Sequence, residues 1–203
     1  MKKSPTARSQ SLYSLADSLD NRRQDLAVSI QTQTGISLEE AEKEVELSVS
    51  RLTDWAARCD KEQGGTPFPP QSGSALSTPE ALGVLGVILP NSKPLLSLVS
   101  LLGPAVAMGN AVIMVPSEKY PLPALEFIQV LQASDIPGGL VSIITGGRDQ
   151  LTAVSFFNTP VSVPLNVCGY TVKRRRRGKR DETGPAQIPL FKKSFGGRRW
   201  SGK

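Results

Sequence analysis

Two cysteines and no histidine set the chemical range of this 203-residue chain. Without histidine there is no His-based triad, no His metal ligand and no imidazole general base. Cys59 and Cys168 lie too far apart for a zinc or redox spacing, so no metal site is predicted. Cys59 falls on an apolar helical stripe and reads as core. Cys168 is a lone thiol with no activating neighbour, and such a thiol is mostly protonated at neutral pH. The remaining candidates are the polar residues of three short segments: Pro90-Asn91-Ser92-Lys93-Pro94, Pro116-Ser117-Glu118 and Gly146-Gly147-Arg148-Asp149. Each follows a predicted strand, and open α/β sheets bind ligands at the carboxyl ends of their strands. None of the three segments carries GxGxxG or GxxxxGK[ST], the loops that cradle phosphates through glycine N–H groups. Composition and spacing thus support a nucleotide-binding-like half sheet and nothing sharper.

The elements that must position these segments follow from periodicity. Residues 8–34 read as an amphipathic helix, with Leu12, Leu15, Ala16, Leu19, Leu26, Ala27 and Ile30 at three- and four-residue steps. Gly35 is its stop. Ser37 and Glu40 form a capping box that opens a second helix, whose stripe is Ala41, Val45, Val49, Leu52, Ala56 and Cys59. Residues 1–63 make a helical pair, and residues 64–80, rich in Gly, Pro and Ser, make a linker. Leu82–Leu89 is a continuous apolar run, as expected for a strand covered on both faces. A turn at Pro90–Pro94, a helix over Leu95–Met108 bent by Pro104, and a strand at Ala111–Val115 follow. A third helix starts near Pro121, and a third strand spans Leu140–Thr145. The repeat of about 28 residues is one βαβ unit. Residues 81–152 are therefore predicted to be a partial βαβαβ unit, an incomplete doubly wound, Rossmann-like parallel sheet. The fold class is α/β.

Beyond Leu151 this logic stops, apart from one weak strand between Phe156 and Cys168. Residues 153–203 are read as an unrelated, mostly disordered basic tail. The whole chain has 24 Lys and Arg against 18 Asp and Glu, a net charge of +6. Residues 173–203 alone hold 12 basic side chains against Asp181 and Glu182, a net of +10. Residues 1–172 hold 12 basic and 16 acidic side chains, a net of −4. The run from Lys173 to Arg180 resembles a nuclear localisation signal and would attract nucleic acid non-specifically, with an affinity that falls as salt rises. The uncharged stretch Pro94–Val115 is long enough to span a bilayer, but Pro104 and Gly109-Asn110 interrupt it. A buried helix followed by a buried strand fits better, so no membrane partner is expected. No apolar signal segment follows Met1-Lys2-Lys3, which points to the cytoplasm, with the nucleus open through the basic run.

Longer stretches carry a resemblance. They are Leu82 to Pro90, Pro94-Leu95-Leu96, Gly103 to Asn110, Val115 to Glu118, Pro121-Leu122 and Pro137 to Val141. In order and spacing they are similar to the aldehyde dehydrogenase superfamily. The first helix agrees through Arg8, Leu12-Tyr13, Leu15-Ala16-Asp17 and Arg23, and the second through Trp55 to Lys61. The collinear match covers roughly residues 8–150. Pro104 to Asn110 and Trp55 to Lys61 most resemble the second, degenerate unit of aldehyde dehydrogenase family 16.

The resemblance implies NAD(P)-dependent oxidation of aldehydes to acids, with NAD or NADP as cofactor. It also implies residue roles. After the first strand the family has Pro-Trp-Asn-Phe-Pro, whose Asn donates to the oxyanion, a contribution of about 3 kcal/mol. Here Ser92 holds that position, and no catalytic residue is assigned. After the second strand the family has Lys-Pro-Ser-Glu, whose Lys and Glu hold the adenosine ribose. Here Val115 replaces the Lys and Glu118 matches the Glu. The expected cofactor-binding residues are Pro90, Asn91, Ser117 and Glu118. The family's pyrophosphate loop, general-base Glu and nucleophilic Cys belong to segments beyond the resemblance. The chain is therefore expected to be a truncated, non-catalytic member acting through protein contacts. One alternative is a cofactor-binding half supplied to a fuller aldehyde dehydrogenase subunit. Another is a basic-tailed nuclear or nucleic-acid-binding factor.

Overall fold

The structure is a computed structural model and describes residues 4–61, 79–147, 151, 163–166 and 192–193. Three helices open it: α1 (Pro5–Asn21), α2 (Arg23–Thr34) and α3 (Leu38–Arg58). Ser4 caps α1, its hydroxyl accepting from Ala7 N at 3.2 Å, with Pro5 pre-set for the first turn. The predicted single helix over residues 8–34 is two helices, broken at Arg22 (φ −109°, ψ 21°). Asp20 to Asp25 bury no apolar side chain, so packing does not hold the helix straight there. Arg22 instead reaches the later helix that carries Gln129 and donates to that residue's Oε1 at 2.6 Å.

The remaining helical signals are where the sequence places them. Gly35 ends α2 in the left-handed region (φ 72°), which a Cβ would strain. Ser37 Oγ accepts from Glu40 N, and Glu40 Oε2 accepts from Ser37 N, both at 3.3 Å, closing the capping box of α3. Ala41, Val45, Leu52 and Ala56 are fully buried, and Val49 packs at the edge of the core.

The strands are β1 (Pro79–Glu80), β2 (Val84–Ile88), β3 (Ala111–Val115), β4 (Val141–Ile143), β5 (Val163–Asn166) and β6 (Lys192–Lys193). Between them lie α4 (Pro94–Ala107) and α5 (Leu122–Ala133). Four strands form one parallel sheet in the order β4-β3-β2-β5. β5 lies within the segment read as one weak strand and extends the sheet beyond the expected three. β1 and β6 pair antiparallel as a separate two-stranded ribbon. Residues 62–78, most of the expected linker, and most of the expected basic tail lie outside the described residues.

The order β2, β3, β4 advances in one direction, so right-handed crossovers put α4 and α5 on one face of the sheet. Leu85, Val87, Val112 and Met114 meet Leu98, Val99, Leu102 and Phe127 in one core. α3 lies along α4, and α1 packs against both. Asn110, almost wholly buried, ties this layer to the strands: its Oδ1 accepts from Gly83 N at 3.0 Å and its Nδ2 donates to Ala105 O at 3.3 Å. Arg8 Nε donates to Ala107 O at 2.8 Å, satisfying a carbonyl at the open end of α4. Among the described residues no helix is long and apolar enough to cross a membrane. The apolar stretch from Pro94 is a 14-residue helix followed by a five-residue strand.

At Gly103, α4 comes close to Trp55 of α3. A Cβ built there would stand 2.8 Å from Cδ1 of Trp55. Helix propensity alone would favour alanine by up to about 1 kcal/mol, but overpacking a tight contact costs about 1–3 kcal/mol. Gly103→Ala is therefore expected to destabilise the chain, read as a lower urea midpoint at unchanged slope. An unchanged or raised midpoint would show that Trp55 yields freely.

Candidate functional site: the crevice at the carboxyl ends of the strands

Two of the three candidate segments meet where the sheet ends. The β2–β3 ladder continues one residue past the strand, with Leu89 N donating to Val115 O at 2.9 Å. This sets the segment after β2 beside the segment after β3. Ser117 Oγ donates to Asn91 Oδ1 at 2.8 Å and accepts from Tyr120 N at 3.2 Å. Ser117 is buried and Asn91 half-buried. Both act first as a strut between the two loops. Pro90 is half-buried, and Glu118 is exposed at the crevice rim. Gly146 and Gly147 follow β4, whereas Arg148 and Asp149 lie outside the described residues.

Ser92, expected at the family's oxyanion position, is exposed, and its carbonyl accepts from Ser97 Oγ at 2.9 Å. Lys93 follows in the left-handed region (φ 47°), the one non-glycine residue with positive φ among the described residues. Such a conformation costs of order 1 kcal/mol and persists only where surrounding contacts impose it. Val115 is buried, with an apolar side chain that offers a ligand no donor.

Sequence reasoning missed Glu44. It stands in the second turn of α3, 5 % exposed, and its Oε1 accepts from Leu95 N at 3.0 Å and Leu96 N at 3.1 Å. Those N–H groups are orphans of the first turn of α4, and α4 has no side-chain cap of its own. The positive end of α4 is thus already matched by a carboxyl group from another helix. The signal was present, because Glu44 is three residues after Ala41 and four before Ser48, on the buried face of α3. Burial raises the Glu44 pKa, while the Leu96 and Leu95 N–H groups and the nearby Lys93 charge pull the other way without cancelling it.

Cys59 is not placed to attack a substrate. Cys59 is buried at the end of α3, and its thiol donates to Trp55 O at 3.3 Å. Burial pushes that thiol up, more than the Arg8 charge lowers it. Cys168 lies outside the described residues. Among the described residues no group of three or more Asp, Glu, Cys or His could hold a metal ion.

Comparison with known proteins agrees with this geometry. Residues 1–159 match the family model "Aldehyde dehydrogenase family". The chain is 33 % identical over 144 residues to an aldehyde dehydrogenase of Agaricus bisporus, covering 70 % of this chain and 29 % of that protein. It is 32 % identical over 157 residues to the NADP/NAD-dependent aldehyde dehydrogenase PuuC of Escherichia coli, covering 76 % and 32 %. A point mutant of betaine aldehyde dehydrogenase from Staphylococcus aureus, solved with NAD+, superposes with a TM-score of 0.76 at 24 % identity, covering 81 % of this chain and 34 % of that one. A second, glyceraldehyde-3-phosphate dehydrogenase from Methanocaldococcus jannaschii with NADP, gives 0.68 at 24 % identity, covering 73 % and 33 %. The chain belongs to the aldehyde dehydrogenase family. It spans about a third of the length of the curated relatives it matches.

The raised pKa of Glu44 predicts a pH dependence. The folded chain holds the Glu44 proton more tightly than the unfolded chain does. The resulting stabilisation is full below the ordinary value of 4.5 and is lost as pH rises through the folded value. Glu44→Gln keeps an oxygen for both N–H groups and cannot ionise. In urea titrations across that window, the wild-type chain should lose stability relative to the Gln variant as pH rises. Parallel pH profiles would mean that Glu44 does not titrate differently on folding.

Proposed function

We propose that this chain is an aldehyde dehydrogenase-family unit that keeps the architecture of the nucleotide crevice and does not oxidise aldehydes by itself. The observation that carries this reading is the segment after β2. Ser92 stands where the family's oxyanion-binding Asn is expected, and the one amide side chain in the loop, Asn91, is bonded to Ser117. Losing an oriented oxyanion donor costs about 3 kcal/mol in the barrier, a factor of over 100 in rate. The chain has no histidine, and among the described residues the one thiol, Cys59, is buried with its pKa raised.

NAD or NADP is the cofactor that the family implies, and it would supply hydride acceptance when bound. The residues fit it only in part. The exposed Glu118 carboxylate is free in geometry to accept ribose hydroxyls, but Val115 supplies no second contact. The first turn of α4 is taken by Glu44, so it lends nothing to a pyrophosphate. The finer likeness is to the second, degenerate unit of aldehyde dehydrogenase family 16. Any role is accordingly read as one of protein contact, with a fuller aldehyde dehydrogenase subunit as the candidate partner.

Purified chain incubated with short aliphatic and aromatic aldehydes, and with NAD or NADP, should give no reduced cofactor above a heat-denatured control. Sustained production that heating abolishes would overturn the non-catalytic reading.

A further inference from the structure

We infer that Glu44 is a positioning residue for the crevice loop, setting residues 91–93 from one side while Ser117 sets them from the other. The inference rests on reading Pro90–Pro94 as a crevice segment. The loop enters from β2 and leaves into α4, and each end has one polar anchor from elsewhere in the fold. At the entry, Ser117 after β3 holds Asn91 at 2.8 Å. At the exit, Glu44 on α3 holds Leu95 and Leu96 at 3.0 and 3.1 Å. Between these anchors the chain makes its one left-handed non-glycine step among the described residues, at Lys93, and both Ser92 and Lys93 are exposed.

A helix normally begins with a Ser, Thr, Asp or Asn whose side chain caps it. In α4 the N-cap is Lys93, which cannot accept, and Ser92 lies one residue too early. The first turn is therefore fixed from outside, and its placement is passed back to Ser92 through two backbone steps. A local cap would leave the loop free to move with α4. A cap rooted in α3 ties it to the helical layer, because α3 also locks against α4 at Trp55 and Gly103. Glu44 acts through the loop and touches no bound molecule.

The test is residue-resolved amide exchange and ¹⁵N chemical shifts on the full chain, for wild type, Glu44→Ala and Glu44→Gln at one neutral pH. The Ala variant leaves both first-turn N–H groups without this acceptor and should exchange about tenfold faster or more at Leu95 and Leu96. The Asn91 side-chain NH₂ and Ser92 resonances should shift with them, while amides in the middle of α3 and in β3 stay protected. The Gln variant should restore protection and shifts. If the Ala variant speeds exchange equally throughout α3 and α4, Glu44 is only a general stabiliser and the inference fails. It also fails if Asn91 and Ser92 do not move. Should the Ala variant not fold, Glu44→Met, which fills the space without a carboxyl acceptor, takes its place: displaced Asn91 and Ser92 resonances support the inference, and wild-type-like ones contradict it. None of these readouts depends on whether the chain turns over aldehydes, so failure here leaves the non-catalytic reading standing.

Discussion

The seam between α3 and α4 is the contact on which the other features depend. Gly103 lets α4 approach until Trp55 lies against its backbone, and Glu44, about three turns earlier on α3, satisfies the first N–H groups of the same helix. The two contacts fix both the distance and the axial register of α4 relative to α3. Helix packing without such pins tolerates sliding, because apolar contacts are non-directional. A buried, bonded polar group adds the direction that they lack. Since α4 is the first crossover of the sheet, its position sets β2 and β3 as parallel neighbours.

The crevice inherits this arrangement. The family's nucleotide-binding region uses the ends of the first two strands, and here those ends are joined to one another by Asn91 and Ser117. Side chains that bond to each other have less to offer a ligand, since a guest must repay the bond it breaks. Glu118 projects into solvent at the rim with an acceptor. In the proposed reading the chain shares mostly scaffold with its family, namely caps, crossovers and strand order, with Ser92 at the expected oxyanion position and Val115 at the expected ribose-binding Lys position.

Most of the scaffold was legible in the sequence because each signal is local. The Ser37–Glu40 capping box, the Gly35 stop and the strand at Ala111–Val115 depend on neighbours within a few residues. The break at Arg22 was not legible, because apolar spacing stays in register across it and only the missing packing of Asp20 to Asp25 reveals it. Two members of the site were also hidden by distance. The bond between Asn91 and Ser117 spans 26 residues, and the cap from Glu44 to Leu95 spans 51. Nothing in the residue types announces such pairings. The one hint was a glutamate on the buried face of α3.

As proposed, the crevice keeps its scaffold and, at Glu118, one of the two expected ribose contacts, too little to hold NAD tightly. Calorimetric titration of NAD into the full chain, beside Glu118→Ala, tests that claim most directly. The account predicts affinity weaker than about 1 mM, a binding free energy smaller in magnitude than about 4 kcal/mol, and no measurable binding in the variant. Micromolar binding by the wild-type chain that Glu118→Ala abolishes would contradict it.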